Sequence, residues 1–217
     1  MGVAVEGSDK AWPGENTPPA LPQFDVFNTQ ERYIEVFNKG TAPFEYTVTT
    51  DNPWIILSHT GGMITGEQRI NVRVDWHMLP YGTHEGAITV HGPDCEVKVA
   101  LSAFNPAVPQ AATLKGFVEA EGYVSIEAEH YTSLKNSEER SWELIDGYGR
   151  TLSAMRATAV TDAPPVMPGK DSPCLGYQMY LFSTGEFKIL LHVAPSLNFL
   201  PDRDFRIGIS IDDDPPQ

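Results

Sequence analysis

The chain has 217 residues, with 15 basic and 29 acidic side chains and a formal net charge of −14. That balance argues against nucleic acid, because phosphate binding needs clustered Lys and Arg to displace counterions, and equally against an anionic membrane surface. No apolar run approaches the ~20 residues of a membrane helix. The hydrophobic share of 41% is that of a soluble domain, and 18 glycines with 18 prolines suit a protein of many turns and short strands. The length allows one large domain or two ordinary ones.

Residues 1–22 carry neither a positive n-region nor an apolar h-region, so they are not a signal peptide. They read as an irregular lead-in, as if the chain were a piece of a larger protein. Alternating runs follow at 33–38, 44–49, 54–58, 69–74, 86–91 and 96–101, each bounded by turn residues. β-Branched and aromatic residues alternate with polar ones, the mark of strands with one buried face. Six such runs at regular spacing predict an antiparallel β-sandwich of the immunoglobulin-like kind over 23–104. Two prolines among small residues make 105–115 a linker.

The second half, 116–217, reads as a second, jelly-roll-like antiparallel sandwich. The fold class is therefore all-β, two sandwiches in tandem. Strands are expected at 122–129, 176–182, 186–193 and 205–211, a short helix over 130–135, and a Pro-rich loop over 162–173. The strand count is short for a sandwich half, so the closing strands are expected to be missing and one edge unpaired.

Catalytic signatures are absent: no G-x-S-x-G, Walker loop, G-x-G-x-x-G, H-E-x-x-H or C-x-x-C. The acidic residues read as solvated faces rather than the opposed carboxyl pair of a glycosidase. Cys95 and Cys174 read as two buried free thiols, a bridge between the halves being the alternative. Trp54 and Trp76 read as packing residues, with sugar stacking as the alternative. Trp142 and Tyr148 flank Ile145-Asp146-Gly147 and are the candidates for a carbohydrate-binding groove. In 125–129, alternation puts Glu127 and Glu129 on one strand face. Two such carboxylates are either solvated or bridged by a hard cation such as Ca²⁺.

Two resemblances bear on these residues. The run Y-V-S-I-E-A-E-H-Y at 123–131 resembles the opening strand of carbohydrate-binding modules of families 6 and 35, which implies calcium at Glu127 and Glu129. More of the chain resembles the C-terminal region of glycoside hydrolase family 115: Trp142, G-Y-G-R-T-L-S-A-M at 147–155, Y-Q-M-Y-L-F at 177–182, A-P-S-L-N-F at 194–199 and S-I-D-D-D-P-P-Q at 210–217. R-Y-I-E-V-F-N-K-G at 32–40, P-W-I at 53–55 and V-D-W at 74–76 resemble the segment before that domain. The resemblance implies a non-catalytic accessory region of an inverting α-glucuronidase that removes (4-O-methyl)glucuronic acid from glucuronoxylan. The catalytic carboxylates would then lie on an upstream barrel of the same polypeptide, and the whole would be periplasmic or extracellular. A structural or assembly role, with homodimerisation among its forms, is the leading reading. A xylan-binding module is the second, and a tandem-sandwich adhesion protein of the cell surface the third.

Overall fold

A computed structural model describes residues 1–160, 163–164, 166–169, 172–195, 206–212 and 214–217. The chain divides into two compact units, Met1–Leu114 and Lys115–Gln217. Among the described residues every regular element is a strand.

The first unit contains β1 (Gly2–Val5), β2 (Ala11–Trp12), β3 (Phe24–Asp25), β4 (Arg32–Phe37), β5 (Phe44–Thr50), β6 (Ile55–Leu57), β7 (Gly61–Ile64), β8 (Glu67–Val74), β9 (Gly82–His91) and β10 (Glu96–Asn105). One sheet runs β2-β1-β4-β8-β6, the other β3-β10-β9-β5-β7. All pairings are antiparallel except that of β3 with β10. Strict alternation sets the inner faces. On β10 Val97, Val99, Leu101 and Ala103 are buried, while Glu96, Lys98 and Ala100 are exposed. On β8 Ile70, Val72 and Val74 point inward in the same way. A period of two puts every second residue on one face, so these runs supply both halves of a dry core.

Residues 1–22, expected as an irregular lead-in, instead contribute two strands to this sandwich. Val3 sits opposite Val36 and Val5 opposite Ile34, and Val3, Val5, Trp12 and Leu21 are core residues. The Trp12 indole N–H donates to the Thr17 carbonyl at 2.6 Å, which satisfies the one polar atom that burial would orphan. The expected reading failed because the prolines and charges around G-V-A-V dominate a local window. Burial against β4 is a long-range contact.

Two buried polar groups tie the loops. Asp25, 6% exposed, accepts from the Phe27 and Asn28 backbone N–H groups at 3.0 and 2.7 Å, from the Asn28 amide and from the Gln30 amide. Asn105 donates to the Leu79 and Pro80 carbonyls at 2.9 and 3.2 Å, anchoring the segment before β9. Trp54 is buried and Trp76 packs half-buried against the core, so both tryptophans are packing residues.

The second unit contains β11 (Phe117–Val118), β12 (Ser133–Lys135), β13 (Arg140–Ile145), β14 (Ala154–Ala159), β15 (Cys174–Gly176) and β16 (Met179–Tyr180). They form three two-stranded sheets: β11 with β16 in parallel, β12 with β15 and β13 with β14 antiparallel. The strand at 122–129 does not form. Glu121 and Gly122 have φ of 54° and 81° and close a turn that bridges Ala120 to Tyr123, and 124–127 has no ladder partner. Residues 133–135 are strand rather than helix, paired with β15. Residues 186–193 and 206–211 are not strands. Phe205 lies outside the described residues, as do Ser196–Phe199 of the family-like block, Asp213, and Asp162, Pro165, Lys170 and Asp171 of the Pro-rich loop. Both cysteines are free, and Cys174 is exposed rather than buried.

Candidate functional site

The feature of the second unit that gathers chemistry is built on the β13–β14 hairpin. Alternation makes it two-faced. On one face Glu143 lies opposite Arg156, their side chains 2.8 Å apart, and Ser141 lies opposite Thr158 with hydroxyls 2.9 Å apart. Such cross-strand pairs hold register. On the other face Trp142 and Leu144 project together, with Met155 directly opposite Leu144. The connection 146–153 closes on itself. The Ser153 hydroxyl donates to Asp146 Oδ1 at 3.3 Å and accepts from the Gly147 N–H at 3.2 Å, and Ser153 is buried.

That apolar face is one wall of a cleft of about 370 Å³, lined by Glu129, His130, Tyr131, Trp142, Leu144, Asp146, Ser153 and Met155. Its opposite rim is the 127–131 turn, held by three contacts. The His130 N–H donates to the Glu127 carbonyl at 3.0 Å, the Tyr177 hydroxyl donates to the Ala128 carbonyl at 2.7 Å, and the Thr151 hydroxyl donates to Glu127 Oε1. Burial pushes the Tyr177 phenol up, assisted by Cys174 and Tyr131 nearby, so it stays a donor over the ordinary pH range. Within the cleft His130 Nε2 lies 3.5 Å from Glu129 Oε1.

The structure thus regroups the candidate residues. Trp142 lines the cleft, whereas Tyr148, 60% exposed, stands outside its lining. Glu129 lines the cleft, whereas Glu127 is turned to Thr151. The two glutamates expected on one strand face are separated by the turn at Ala128-Glu129. Calcium takes six to eight oxygen ligands, and among the described residues no three of His, Cys, Asp and Glu come together as metal ligands. His130, Tyr131, Asp146 and Met155 were missed. The signal available for the last two was the alternation of R-S-W-E-L-I and A-M-R-A-T-A around a glycine-bearing connection, which reads as a hairpin.

A second ordered point lies at Glu119. Its carboxylate accepts from the Phe182 and Ser183 N–H groups at 2.7 and 2.8 Å and from the Ser183 hydroxyl at 2.6 Å. Those bonds, the Ser183 hydroxyl foremost, hold Glu119 below the usual carboxylate range.

Fold and site together define a two-unit all-β protein whose second unit carries an aromatic-walled, carboxylate-bearing cleft. Residues 116–217 match the model of the glycosyl hydrolase family 115 C-terminal domain. That match spans the second unit but for its first residue, just under half of the chain. No curated protein matches the chain. Among solved structures, a GH5 xyloglucanase of Bacteroides ovatus is 20% identical over 49% of this chain and 20% of its own, with a TM-score of 0.32. The chain thus spans about a fifth of that enzyme's length. The periplasmic chaperone SfaE is 9% identical over 81% of this chain and 99% of its own, with a TM-score of 0.37. SSP-19, an MSP-domain protein like family member of Caenorhabditis elegans, is 12% identical over 40% of this chain and 94% of its own, at 0.31. Likenesses at these scores carry no functional argument.

Proposed function

We propose that this chain is the non-catalytic accessory region of an inverting, exported α-glucuronidase acting on glucuronoxylan, and that its role is to brace an upstream catalytic barrel of the same polypeptide. The observation that carries the reading is the contrast in burial between the units. Every buried hydrophobic side chain among the described residues lies between Val3 and Ala103. In the second unit Phe187, Leu190, Leu191, Val193 and Ile207 are each 57–69% exposed. Soluble proteins rarely leave such apolar surface to water unless something covers it. In an accessory region the natural cover is another part of the parent.

Hydrogen exchange tests this on the chain alone and on the parent enzyme. Amides of 179–193 are expected to exchange fast in the chain and slowly in the parent. Equal exchange in both would remove the bracing role. The chain alone is expected to release no glucuronic acid from glucuronoxylan.

A second reading, carbohydrate binding, is favoured by the cleft around Trp142. Its test is sugar titration with and without a chelator, the latter arm probing the calcium dependence that the E-A-E resemblance implies.

A further inference from the structure

The cleft has a chemical bias. The indole Nε1 of Trp142 has no accessible surface and no hydrogen-bond partner, yet the residue lines the cleft. What it offers a ligand is therefore ring carbon and not its N–H. Leu144 and Met155 extend that apolar wall. On the opposite rim lie Glu129, His130 and Tyr131, and at the hairpin's end Asp146, which accepts from the Ser153 hydroxyl. Ionised carboxylates only accept hydrogen bonds, and bonds they accept from hydroxyls are short and strong. A ligand matched to this lining has one C–H face for the indole and a ring of donor hydroxyls for the acceptors. About 370 Å³ sits at the small end of the ~300–1,000 Å³ typical of small-molecule pockets.

We propose that the Trp142 cleft is a subsite for an uncharged pyranose, and that Glu129 and Asp146 make it reject uronic acids. A third carboxylate brought into the cleft meets like charge from both, and most strongly from Glu129, whose side chain is 18% exposed and whose Coulomb terms exceed those in bulk water. The proposal rests on the carbohydrate-binding reading and sharpens it. The subsite would hold a neutral unit of a glycan chain, such as the xylosyl backbone, and not its glucuronosyl branch.

Three probes separate the terms: methyl β-glucoside, methyl β-glucuronide and methyl β-xyloside. The first two differ only in CH₂OH against carboxylate. Each is titrated into the full chain at pH 8 while backbone amide shifts of 127–155 are followed by NMR. The glucoside and xyloside are expected to bind in roughly the millimolar range, and the glucuronide about ten-fold or more weakly. Glu129→Gln should narrow the glucoside–glucuronide gap by several-fold, on the order of five. Trp142→Ala should abolish binding. If it also unfolds the hairpin, Trp142→Phe, which keeps a smaller ring, should weaken binding a few-fold, roughly three. Equal or tighter binding of the glucuronide, or a gap unmoved by Glu129→Gln, would overturn the charge selection while leaving carbohydrate binding intact. No shifts with any probe in a folded chain, or binding indifferent to both Trp142 variants, would overturn the subsite and the carbohydrate-binding reading together.

Discussion

Gly86→Ala is expected to destabilise the first unit because the missing side chain is where the other sheet enters. Gly86 lies on β9 opposite the buried Leu101. A Cβ there would fall 2.8 Å from Ile55 Cδ1 and 3.0 Å from Cζ2 and Cη2 of the Trp54 indole. Both neighbours are nearly fully buried, at 5% and 6% exposure, and have little room to give. Overpacking of this kind costs about 1–3 kcal/mol, offset by about 0.4–1 kcal/mol from the stiffer unfolded chain. The net loss is about 1–2 kcal/mol, or a fall in Tm of at least roughly 4 °C. Urea denaturation followed by tryptophan fluorescence measures it. Ile55→Val deletes the contacting methyl and by itself costs about 0.5–1.5 kcal/mol. In the double variant the two losses should fall short of their sum by about 1 kcal/mol. Gly66, where a Cβ meets nothing within 4 Å, is the control, and Gly66→Ala should change stability by less than about 0.5 kcal/mol. Additive losses in the double variant, or a Gly86→Ala protein as stable as the Gly66 control, would refute the reasoning.

Three further outcomes are expected. Asp25→Ala removes a buried acceptor that serves several part-buried donors and should cost about 1–3 kcal/mol in the same urea assay. A loss under ~0.5 kcal/mol would show that water replaces it. Glu119 has a depressed carboxyl, so its contribution is present above the ordinary carboxylate range and is lost as pH falls through the lowered value. Exchange protection of the Phe182 and Ser183 amides should fall over that window in the native chain, and Glu119→Gln should abolish the pH dependence. Finally, a disulfide-exchange reagent should titrate two thiols without denaturant, Cys174 first and the half-buried Cys95 more slowly. A single reactive thiol, or none, would contradict the placement of both.

The all-β class was legible because alternation is a local property. The runs that became β4, β5, β8, β9 and β10 show their buried and exposed faces in any six-residue window. Family likeness was legible in the same way, from blocks such as G-Y-G-R-T-L-S-A-M that keep their order along the chain. Whether an extended segment finds a partner is another matter, since a strand exists only where a second chain segment accepts its hydrogen bonds. That is why G-V-A-V at the start became a sheet strand against β4, while the better alternation at 122–129 and 186–193 formed none. The cleft follows the same logic. Sequence named Trp142 with Tyr148 and Glu127 with Glu129, pairing neighbours along the chain. Folding joined Trp142 to Glu129 and set Tyr148 and Glu127 outside, because a turn at Ala128 and a hairpin closing on Ser153 decide which side chains converge. Composition and period determined what kind of structure this chain makes. Long-range pairing, which no local window contains, decided where its chemistry meets.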